Sequence, residues 1–582
     1  MSPEPDCCST AMTMISMNCL AVPTGSDRRE DPTMRLATAL MEQLKAEGVE
    51  ILSCYPTTPF IDTAARIGIR PIVCRQERVG VGIADGYSRL TLGNPPGVFA
   101  MQYGPGAENA FSGISSAYAD SVPILLLPLG YPADRSGVTP YFRSAETFEH
   151  VTKAFYRLQS ADLLRDTMRR VLGRLRNGQP GPVMLEVPHD LPLVTVPEAE
   201  AAPQSVRRTV PGPDPAAIEE AARLLRAAER PVILAGQGVL YGQASAELLS
   251  LAEHLAIPVV TTLAGKSSFP ERHPLALGTA ASSSTATAVH FLDHADVVLA
   301  LGTSLKKHLM TRTLSGSPTL IQVTVNPGDL YADYEIACPV LGDVRQAIVA
   351  LQQALDGDSA SEARTDAVTS GIAEVRSAWM REWEPVLTSD STPISPYRFI
   401  REVDDFCAGV PRSVLTHDSG STRDMMVPFV HTREPGGYLG WGKSHALGSG
   451  LGLIMGAKLA RPDAVCVNVM GDAAFGMVGL DFETAVRNEI PIITVVLNNF
   501  IMAGEEEVMR VSHKRYGART TGGDYADMAR AMGGVGIRVD RPSDIRGALQ
   551  EAHTATLDGR AVLLEVITSP EDPPFSHRAL FE

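Results

Sequence analysis

Long apolar runs are missing from this sequence, and so is any excess of positive charge. No apolar stretch reaches the roughly 20 residues that a helix needs to cross a bilayer, so we expect no membrane-spanning helix. Lys and Arg number 51 against 67 Asp and Glu, which gives a formal net charge of −16. A nucleic-acid-binding protein needs a basic face, so we expect neither nucleic acid nor membrane as a partner. Small anions stay open as ligands, because backbone N–H groups bind phosphate without net positive charge.

The eight cysteines are scattered, and no two have the C-x-x-C spacing of a zinc or redox motif. We therefore predict a reduced, cytoplasmic protein without a zinc site. Residues 1–33 lack helical and strand periodicity, and they lack the basic start and apolar core of a signal peptide. We interpret them as a disordered N-terminal extension.

From Met34 onward, apolar strand patterns alternate with helical patterns in three blocks. A Pro/Ala/Glu-rich stretch separates the first two blocks, and "DGDSASEARTDAVTS" follows the second; both compositions are typical of linkers. The alternation predicts an α/β fold class with three doubly wound parallel-sheet domains, because parallel sheets are covered by helices on both faces. The predicted bounds are 34–195, 205–355 and 394–570, with a linker at 356–393 and a C-terminal tail at 571–582.

The first and third blocks resemble each other. Each has a helix rich in small residues, an apolar strand, a Gly turn, a second helix and a strand that begins with Pro-Ile. The spacing from Gly104 to Pro123 nearly equals that from Gly471 to Pro491. This pattern predicts two copies of one βαβ design, although any two Rossmann-like units share part of it.

The third block ends two neighbouring strand patterns with oxygen-bearing side chains. Asp472 follows the strand "AVCVNVM", and Asn499 follows "IITVVLN" after one intervening helix. Parallel strands place their carboxyl ends at the same edge of a sheet, so both side chains should reach one site. A carboxylate and an amide oxygen suit Mg²⁺, and the Gly471 turn before a helix suits phosphate. An Asp helix cap and an Asn in a turn are each common alone, and that reading stays open.

With this spacing, "GDAAF…LNN" resembles the diphosphate- and Mg²⁺-binding motif of thiamine-diphosphate enzymes, in particular acetolactate synthase large subunits and their relatives. Ala473 stands where that motif usually has Gly. The resemblance implies that the three blocks are pyrimidine-binding, middle (transhydrogenase-like) and diphosphate-binding domains. It implies metal ligation by the side chains of Asp472 and Asn499 and by the carbonyl oxygen of Ile501.

The resemblance also implies a catalytic role for Glu77, in "RQERVGVGIADGYSR". The corresponding glutamate contacts the aminopyrimidine of the cofactor and promotes its proton transfer; Gln76 stands where His is common. Burial of a carboxyl beside an aromatic ring would raise its pKa. The other residues implied to contact the cofactor are Tyr55, Pro56, Gly104, Asn109, Ser419, Gly420, Ser421, Thr422, Leu447, Gly471, Ala473, Ala474 and Met502.

Two segments depart from acetolactate synthases. Lys443 and His445 lie in "GWGKSHALGSG", a region that is Gly-rich and apolar in those enzymes, and they are candidates for binding an anionic substrate or moving protons. They are equally open to the interpretation of solvent-facing loop residues. The charges of "IMAGEEEVMR" also differ, so the resemblance identifies no substrate.

The resemblance implies thiamine diphosphate and Mg²⁺ as cofactors. FAD is disfavoured, because "AGQG" at 235–238 and "GTSLKKH" at 302–308 match the FAD-binding pattern only loosely. The expected function is a decarboxylase or carboligase acting on a 2-oxo acid or similar small carbonyl donor. The expected assembly is a homodimer or homotetramer with active sites between subunits.

Two alternatives remain open. One is a 2-hydroxyacyl-CoA lyase or another C–C lyase, for which "SLKKH" is a modest candidate to bind CoA phosphates. The other is a non-catalytic cofactor-binding paralogue, which the intact Glu77, Asp472 and Asn499 disfavour.

Overall fold

Three six-stranded parallel sheets organise the computed structural model, which describes residues 33–56, 58–197, 201–203 and 205–570. The strands are β1 Thr33–Arg35, β2 Ile51–Cys54, β3 Arg70–Val73, β4 Gly97–Met101, β5 Ile124–Gly130, β6 Ala154–Arg157, β7 Val183–Pro188, β8 Thr195–Pro197, β9 Pro231–Ala235, β10 Val259–Thr262, β11 Ala276–Ala280, β12 Val297–Leu301, β13 Thr319–Thr324, β14 Cys338–Leu341, β15 Ser413–His417, β16 Tyr438–Leu439, β17 Val465–Gly471, β18 Ile493–Asn498, β19 Val535–Val539 and β20 Val562–Ile567.

The α-helices of the described residues carry the connections between these strands. They are α1 Leu36–Ala46, α2 Pro59–Arg66, α3 Glu77–Thr91, α4 Pro105–Ala119, α5 Ser144–Phe148, α6 Leu164–Arg176, α7 Pro215–Ala227, α8 Gln237–Tyr241, α9 Ser245–Leu255, α10 Ala286–Asp293, α11 Val344–Ala354, α12 Glu362–Leu387, α13 Pro396–Gly409, α14 Ser421–Phe429, α15 Ser449–Ala460, α16 Asp472–Val478, α17 Phe482–Arg487, α18 Arg510–Tyr516, α19 Tyr525–Ala531 and α20 Ile545–Leu557. No helix among these is long and apolar enough to cross a bilayer.

The first and third sheets have the same strand order. The first runs β3-β2-β4-β5-β7-β6 and the third runs β16-β15-β17-β18-β20-β19, so each strand of one has a counterpart in the other. The middle sheet runs β11-β10-β9-β12-β13-β14. The predicted α/β fold with three parallel sheets is confirmed, and the shared strand order supports the predicted internal repeat.

Alternating residues of the central strands fill two separate cores. Val98 and Ala100 of β4 pack on one face of the first sheet with α1 and α6, whereas Phe99 and Met101 pack on the other face with α4. β5 is buried along its whole length. This is the burial expected for parallel strands covered on both faces.

The chain termini and linkers differ in detail from the sequence predictions. The extension was predicted to reach residue 33, but Thr33 begins β1, which pairs antiparallel with β8 at Pro197; this pairing joins residues far apart in sequence, so local patterns do not reveal it. The rest of the extension, and the predicted tail at 571–582, lie outside the described residues. Most of the predicted linker at 356–393 is the helix α12, capped by the side chain of Ser361.

The first and third domains meet through close packing of α3 on α15. A Cβ atom added to Gly86 would lie 2.0 Å from the carbonyl oxygen of Leu453, and one added to Gly456 would lie 2.0 Å from that of Ile83. Glycine at these positions lets the two backbones approach more closely than any side chain would allow. The amino ends of both helices therefore lie side by side.

We expect Gly456→Ala to lower the thermal unfolding midpoint, because the added methyl group overlaps backbone of α3 and overpacking costs about 1–3 kcal/mol. The matched control is Gly547→Ala in α20, where an added Cβ would meet no atom within 4 Å. That change should leave the midpoint unchanged or raise it, since Ala is favoured over Gly in helices. Equal midpoints for the two variants would contradict the role assigned to this contact.

Candidate functional site

The carboxyl edge of the third sheet carries the predicted metal ligands. β17 and β18 are adjacent and parallel, with Gly471 opposite Leu497. Asp472 and Asn499 therefore leave neighbouring strands at the same edge, as their spacing predicts. Among the described residues, no three His, Cys, Asp or Glu side chains cluster as a metal site. A cation bound at this edge would therefore depend on amide and carbonyl oxygens as well as on one carboxylate.

Asp472 lies at the first position of α16 and is buried. Its Oδ1 accepts a hydrogen bond from the backbone N–H of Ala473 at 2.7 Å, and its Oδ2 accepts one from the hydroxyl of Thr521 at 2.5 Å. Burial raises the pKa of Asp472, and these hydrogen bonds oppose the rise. Thr521 was not predicted, because it follows Asp472 by a long and irregular stretch of sequence.

The two asparagines after β18 have different roles. Asn498 is fully buried, and its amide donates to the Glu565 carboxylate at 2.7 Å, so it belongs to the core. Asn499 is half-buried, and its Oδ1 accepts only the backbone N–H of Ile501, at 3.2 Å. The next residue, Met502, donates its backbone N–H to the carbonyl oxygen of Arg519. The Oδ1 of Asn498 also accepts one backbone N–H, that of Phe500 at 3.2 Å. Asn499 differs from it in lying just beyond the end of β18 and in being only half-buried.

Two glycines open a cradle at this edge. Gly420 precedes α14 with φ +89°, and Gly471 precedes α16; an added Cβ at either position would meet no atom within 4 Å. The first turn of α14 contains the predicted residues Ser421 and Thr422, and the hydroxyl of Thr422 donates to the carbonyl of Asp418. Open glycines beside helix starts, with hard oxygen donors next to them, fit a diphosphate and a divalent cation.

Asp418 connects the cradle to the loop before α15 through hydrogen bonds. The sequence analysis did not predict a role for this residue. One of its carboxylate oxygens accepts the N–H groups of Ser419 and Gly448, each at 2.8 Å, and the other accepts that of Gly450 at 2.9 Å. Burial raises the pKa of Asp418 to about 6, against the opposing effect of these hydrogen bonds. The sequence offered a signal in "THDSG", where an acidic residue ends a buried strand.

Glu77 begins α3 and is buried, with 4% of its surface exposed. Burial raises its pKa, and hydrogen bonds from its own backbone N–H and from the Asn109 side chain oppose the rise. Gly104, at φ +58°, starts the helix that carries Asn109. Tyr55, half-buried, and Pro56, exposed, follow β2 at the same sheet edge. The predicted residues of the first domain therefore lie at one edge.

The start of α3 contacts the third domain. The guanidinium of Arg78 donates to the carbonyl oxygen of Leu447, and the N–H of Arg75 donates to the Asp481 carboxylate at 2.7 Å. Leu447 precedes α15 and is 38% exposed, so it is not an ordinary core leucine. Glu77 is thus brought next to the loop that carries Leu447.

A cavity of about 660 Å³ lies between the first and middle domains and reaches Lys443 of the third. The glycines of "AGQG" allow two backbone segments to pack closely beside this cavity, because a Cβ on Gly238 would lie 2.6 Å from the Cα of Gly302. The basic residues of "SLKKH" have partners: Lys306 pairs with Asp329 at 3.1 Å, and Lys307 lies over the Tyr334 ring. Neither motif therefore offers an unused phosphate-binding group.

Three family models match the chain. They are the N-terminal TPP binding domain of thiamine pyrophosphate enzymes at residues 34–155, the central domain at 218–351 and the C-terminal TPP binding domain at 418–566.

The chain is also similar along nearly its whole length to curated proteins. It is 29% identical to a probable acetolactate synthase large subunit of Methanocaldococcus jannaschii, over 93% of each chain. It is 29% identical to the acetolactate synthase large subunit of Mycobacterium tuberculosis, over 94% of this chain and 98% of the relative. It is 28% identical to a sulfoacetaldehyde acetyltransferase of Alcaligenes xylosoxydans, over 94% of this chain and 95% of the relative.

Asp418→Asn should weaken the pH dependence of stability between about pH 4 and pH 7. The folded-state pKa of Asp418, about 6, lies above its ordinary value of 3.8. Its favourable contribution to folding is therefore complete below about pH 4 and is lost as the pH rises through 6. Unfolding midpoints measured at pH 5 and pH 7 should differ less in the variant than in the wild type.

Burial also raises the pKa of Asp481 to about 6. Asp481 therefore keeps part of the pH dependence of stability in this variant. Asn offers fewer acceptor sites to three N–H donors, so the variant should also be less stable by about 1–3 kcal/mol. Asp366→Asn, on the exposed face of α12, is the control and should behave as the wild type. An unchanged pH dependence in Asp418→Asn would show that this carboxyl does not titrate in that range.

Proposed function

Because the chain belongs to the thiamine pyrophosphate enzyme family, we propose that it makes or breaks a C–C bond beside the carbonyl of a 2-oxo acid or similar donor, as a decarboxylase or carboligase. The observation that carries this proposal is the meeting of Asp472 and Asn499 at one edge, beside the Gly420 and Gly471 cradle. Thiamine diphosphate and Mg²⁺ are the proposed cofactors. When bound, thiamine diphosphate supplies a carbon nucleophile that then holds the electron pair released by bond cleavage.

The third domain would hold the diphosphate and its cation. We propose that the Asp472 carboxylate, the Asn499 amide oxygen and the Ile501 carbonyl oxygen bind Mg²⁺, which prefers such hard ligands. The backbone around the two open glycines would bind the diphosphate, since it offers N–H donors without a side chain in the way. The residues assigned to this part are Ser419, Gly420, Ser421, Gly471, Ala473, Ala474 and Met502.

The first domain would supply the proton-transfer group. The Glu77 carboxyl is buried, and burial raises its pKa, which suits a group that holds and returns a proton. The Asn109 side chain orients it. Leu447, exposed beside the start of α3, is the apolar support proposed under the cofactor. Tyr55, Pro56 and Gly104 are the other residues of the first domain that we propose contact the cofactor.

We further propose a homodimer or homotetramer in which a second copy covers the site. Apolar side chains near it are exposed: Met477 by 49%, Leu480 by 65% and Phe500 by 40%. Three exposed apolar side chains near one site favour an interface there. A monomer that keeps full activity at low concentration would contradict this assembly.

A CoA-dependent lyase is the second candidate, and the basic loop that would favour it is already engaged in ion pairing and ring contacts. The deciding experiment incubates the pure protein with thiamine diphosphate, Mg²⁺ and a panel of 2-oxo acids, with and without acyl-CoAs and with sulfoacetaldehyde. We expect turnover of at least one 2-oxo acid without CoA. Absence of turnover with every donor would overturn the proposal, and turnover only with acyl-CoAs would favour the lyase. Flavin absorbance in the purified protein would contradict the expectation that FAD is absent.

Glu77→Gln should reduce turnover by at least about 100-fold, because the amide cannot exchange the proton that the carboxyl holds. Its shape and its contact with Asn109 are kept, so the melting temperature and the retained thiamine diphosphate should match the wild type. Glu382→Gln on α12, which is exposed, is the control and should keep full turnover. Near wild-type turnover in Glu77→Gln would refute the assigned role.

Asp472→Ala should weaken Mg²⁺-dependent retention of thiamine diphosphate through gel filtration by at least about tenfold, since even indirect partners of a metal contribute that much to its affinity. Asp366→Ala serves as the matched control. If both variants retained the cofactor like the wild type, Asp472 would not be a ligand.

A further inference from the structure

The loop Gly442–Gly448 is held at both ends by buried aspartates from two domains. Asp120 of the first domain accepts the N–H groups of Gly442 and Lys443, each at 3.4 Å. Asp418 of the third domain accepts the N–H of Gly448 at 2.8 Å. Both aspartates are at most 2% exposed. The loop is therefore fixed at its ends while its middle faces outward.

The middle of the loop has an unusual backbone. His445 has φ +40°, in the left-handed region that side chains other than glycine seldom adopt. Such conformations persist where surrounding contacts impose them, and they are concentrated at functional sites. Here the constrained residue is His445, which is exposed and lies two residues before Leu447.

Three nitrogen-bearing side chains meet at this loop. Lys443 and His445 lie close enough to His308 of the middle domain to oppose its protonation. Within the described residues, neither the Lys443 ammonium nor the His445 ring has a hydrogen bond or an ion pair. Asp120, the acidic group near them, is already engaged by Arg89 at 3.1 Å and by two N–H groups. Arg89 also pairs with Asp85 at 2.5 Å, so it neutralises Asp120 only in part. Among the described residues, the Lys443 ammonium is nonetheless left without a direct ion-pair partner.

His308 connects the middle domain to this loop. Its Nδ1 accepts the N–H of Met310 at 3.2 Å, and its ring lies beside the Lys443 backbone. The accepting Nδ1 carries no proton, so the neutral ring has its proton on Nε2. Burial lowers the pKa of His308, and the charges of Lys443 and His445 lower it further while Asp120 opposes them. A neutral ring therefore keeps the bond from Met310 and its place beside the Lys443 backbone.

We propose that Lys443 and His445 bind an oxyanion of the substrate, such as a carboxylate, sulfonate or phosphate, and that Asp120 and His308 are positioning residues for this loop. The inference rests on the proposed function, which supplies the reacting centre beside Leu447. Lys443 also lines the 660 Å³ cavity, which gives a substrate an approach to the loop. An unpaired ammonium and an imidazole on a fixed loop suit an anion, because a fixed donor loses little freedom on binding.

Calorimetry with the protein loaded with thiamine diphosphate and Mg²⁺ tests this without turnover. The probes are acetate, inorganic phosphate and inorganic sulfate, none of which is a 2-oxo acid. We expect at least one probe to bind, and Lys443→Met and His445→Gln to weaken it by about 10- to 100-fold, as expected for loss of one charge-assisted hydrogen bond. Lys514→Met, which changes an exposed lysine on α18, is the control and should bind the probe like the wild type.

His308 separates positioning from general stability. His308→Ala should lower the affinity for the probe several-fold, while the melting temperature and the amount of retained cofactor stay unchanged. His308→Gln, which keeps an N–H donor beside the Lys443 backbone, should restore most of the affinity. Equal affinity in His308→Ala and the wild type would contradict the positioning role.

The outcomes distinguish this inference from the function on which it rests. Binding that depends on Lys443, without turnover of any 2-oxo acid, would support the anion site and contradict the proposed reaction. Turnover of a 2-oxo acid with unchanged probe affinity in Lys443→Met would support the reaction and overturn the anion site. Failure of the wild type to bind all three probes would also overturn it.

Discussion

The close approach of α3 and α15 is the constraint on which the candidate site depends. Four glycines, Gly82, Gly86, Gly452 and Gly456, let two helices from different domains share one packed contact. The amino ends of both helices are thereby set side by side, which brings the buried carboxyl of Glu77 next to the loop of Leu447. A side chain at the crossing would separate the two sheet edges, so the site could not form from residues of both domains.

Buried carboxylates then fix the loops around that contact. Asp418, Asp481 and Asp120 each accept backbone N–H groups from a loop that leaves another element. Taking these charges out of water is costly, and burial raises the pKa of Asp418 and Asp481 to about 6. Their hydrogen bonds offset that cost only if the loops keep one conformation. The same low-dielectric surroundings strengthen the interaction of any ligand charge with the loops.

Sequence reasoning succeeded where the chemistry follows a regular element. The strand patterns ending in Asp472 and Asn499 were enough to predict a shared sheet edge, because parallel strands fix where their ends lie. The assigned roles of these residues remain predictions. The roles of Asp120, His308 and Thr521 were not predicted, although His308 lies in the "SLKKH" stretch, because each contacts a partner distant in sequence. The glycines of "AGQG" show the converse: a motif that suggested a ligand serves backbone packing.

The three domains contribute differently to the site, which suggests a reason why relatives whose names indicate different substrates are similar to this chain over nearly its whole length. The proposed cofactor edge is built largely from backbone groups and two oxygen-bearing side chains at strand ends, so its geometry follows from the sheet itself. The loop of Lys443 is instead held by Asp120 from the first domain and Asp418 from the third, with His308 of the middle domain beside it. Substitutions in that loop change which charge is presented without moving a strand. On the proposed function, substrate choice can therefore diverge while the proposed cofactor edge stays the same.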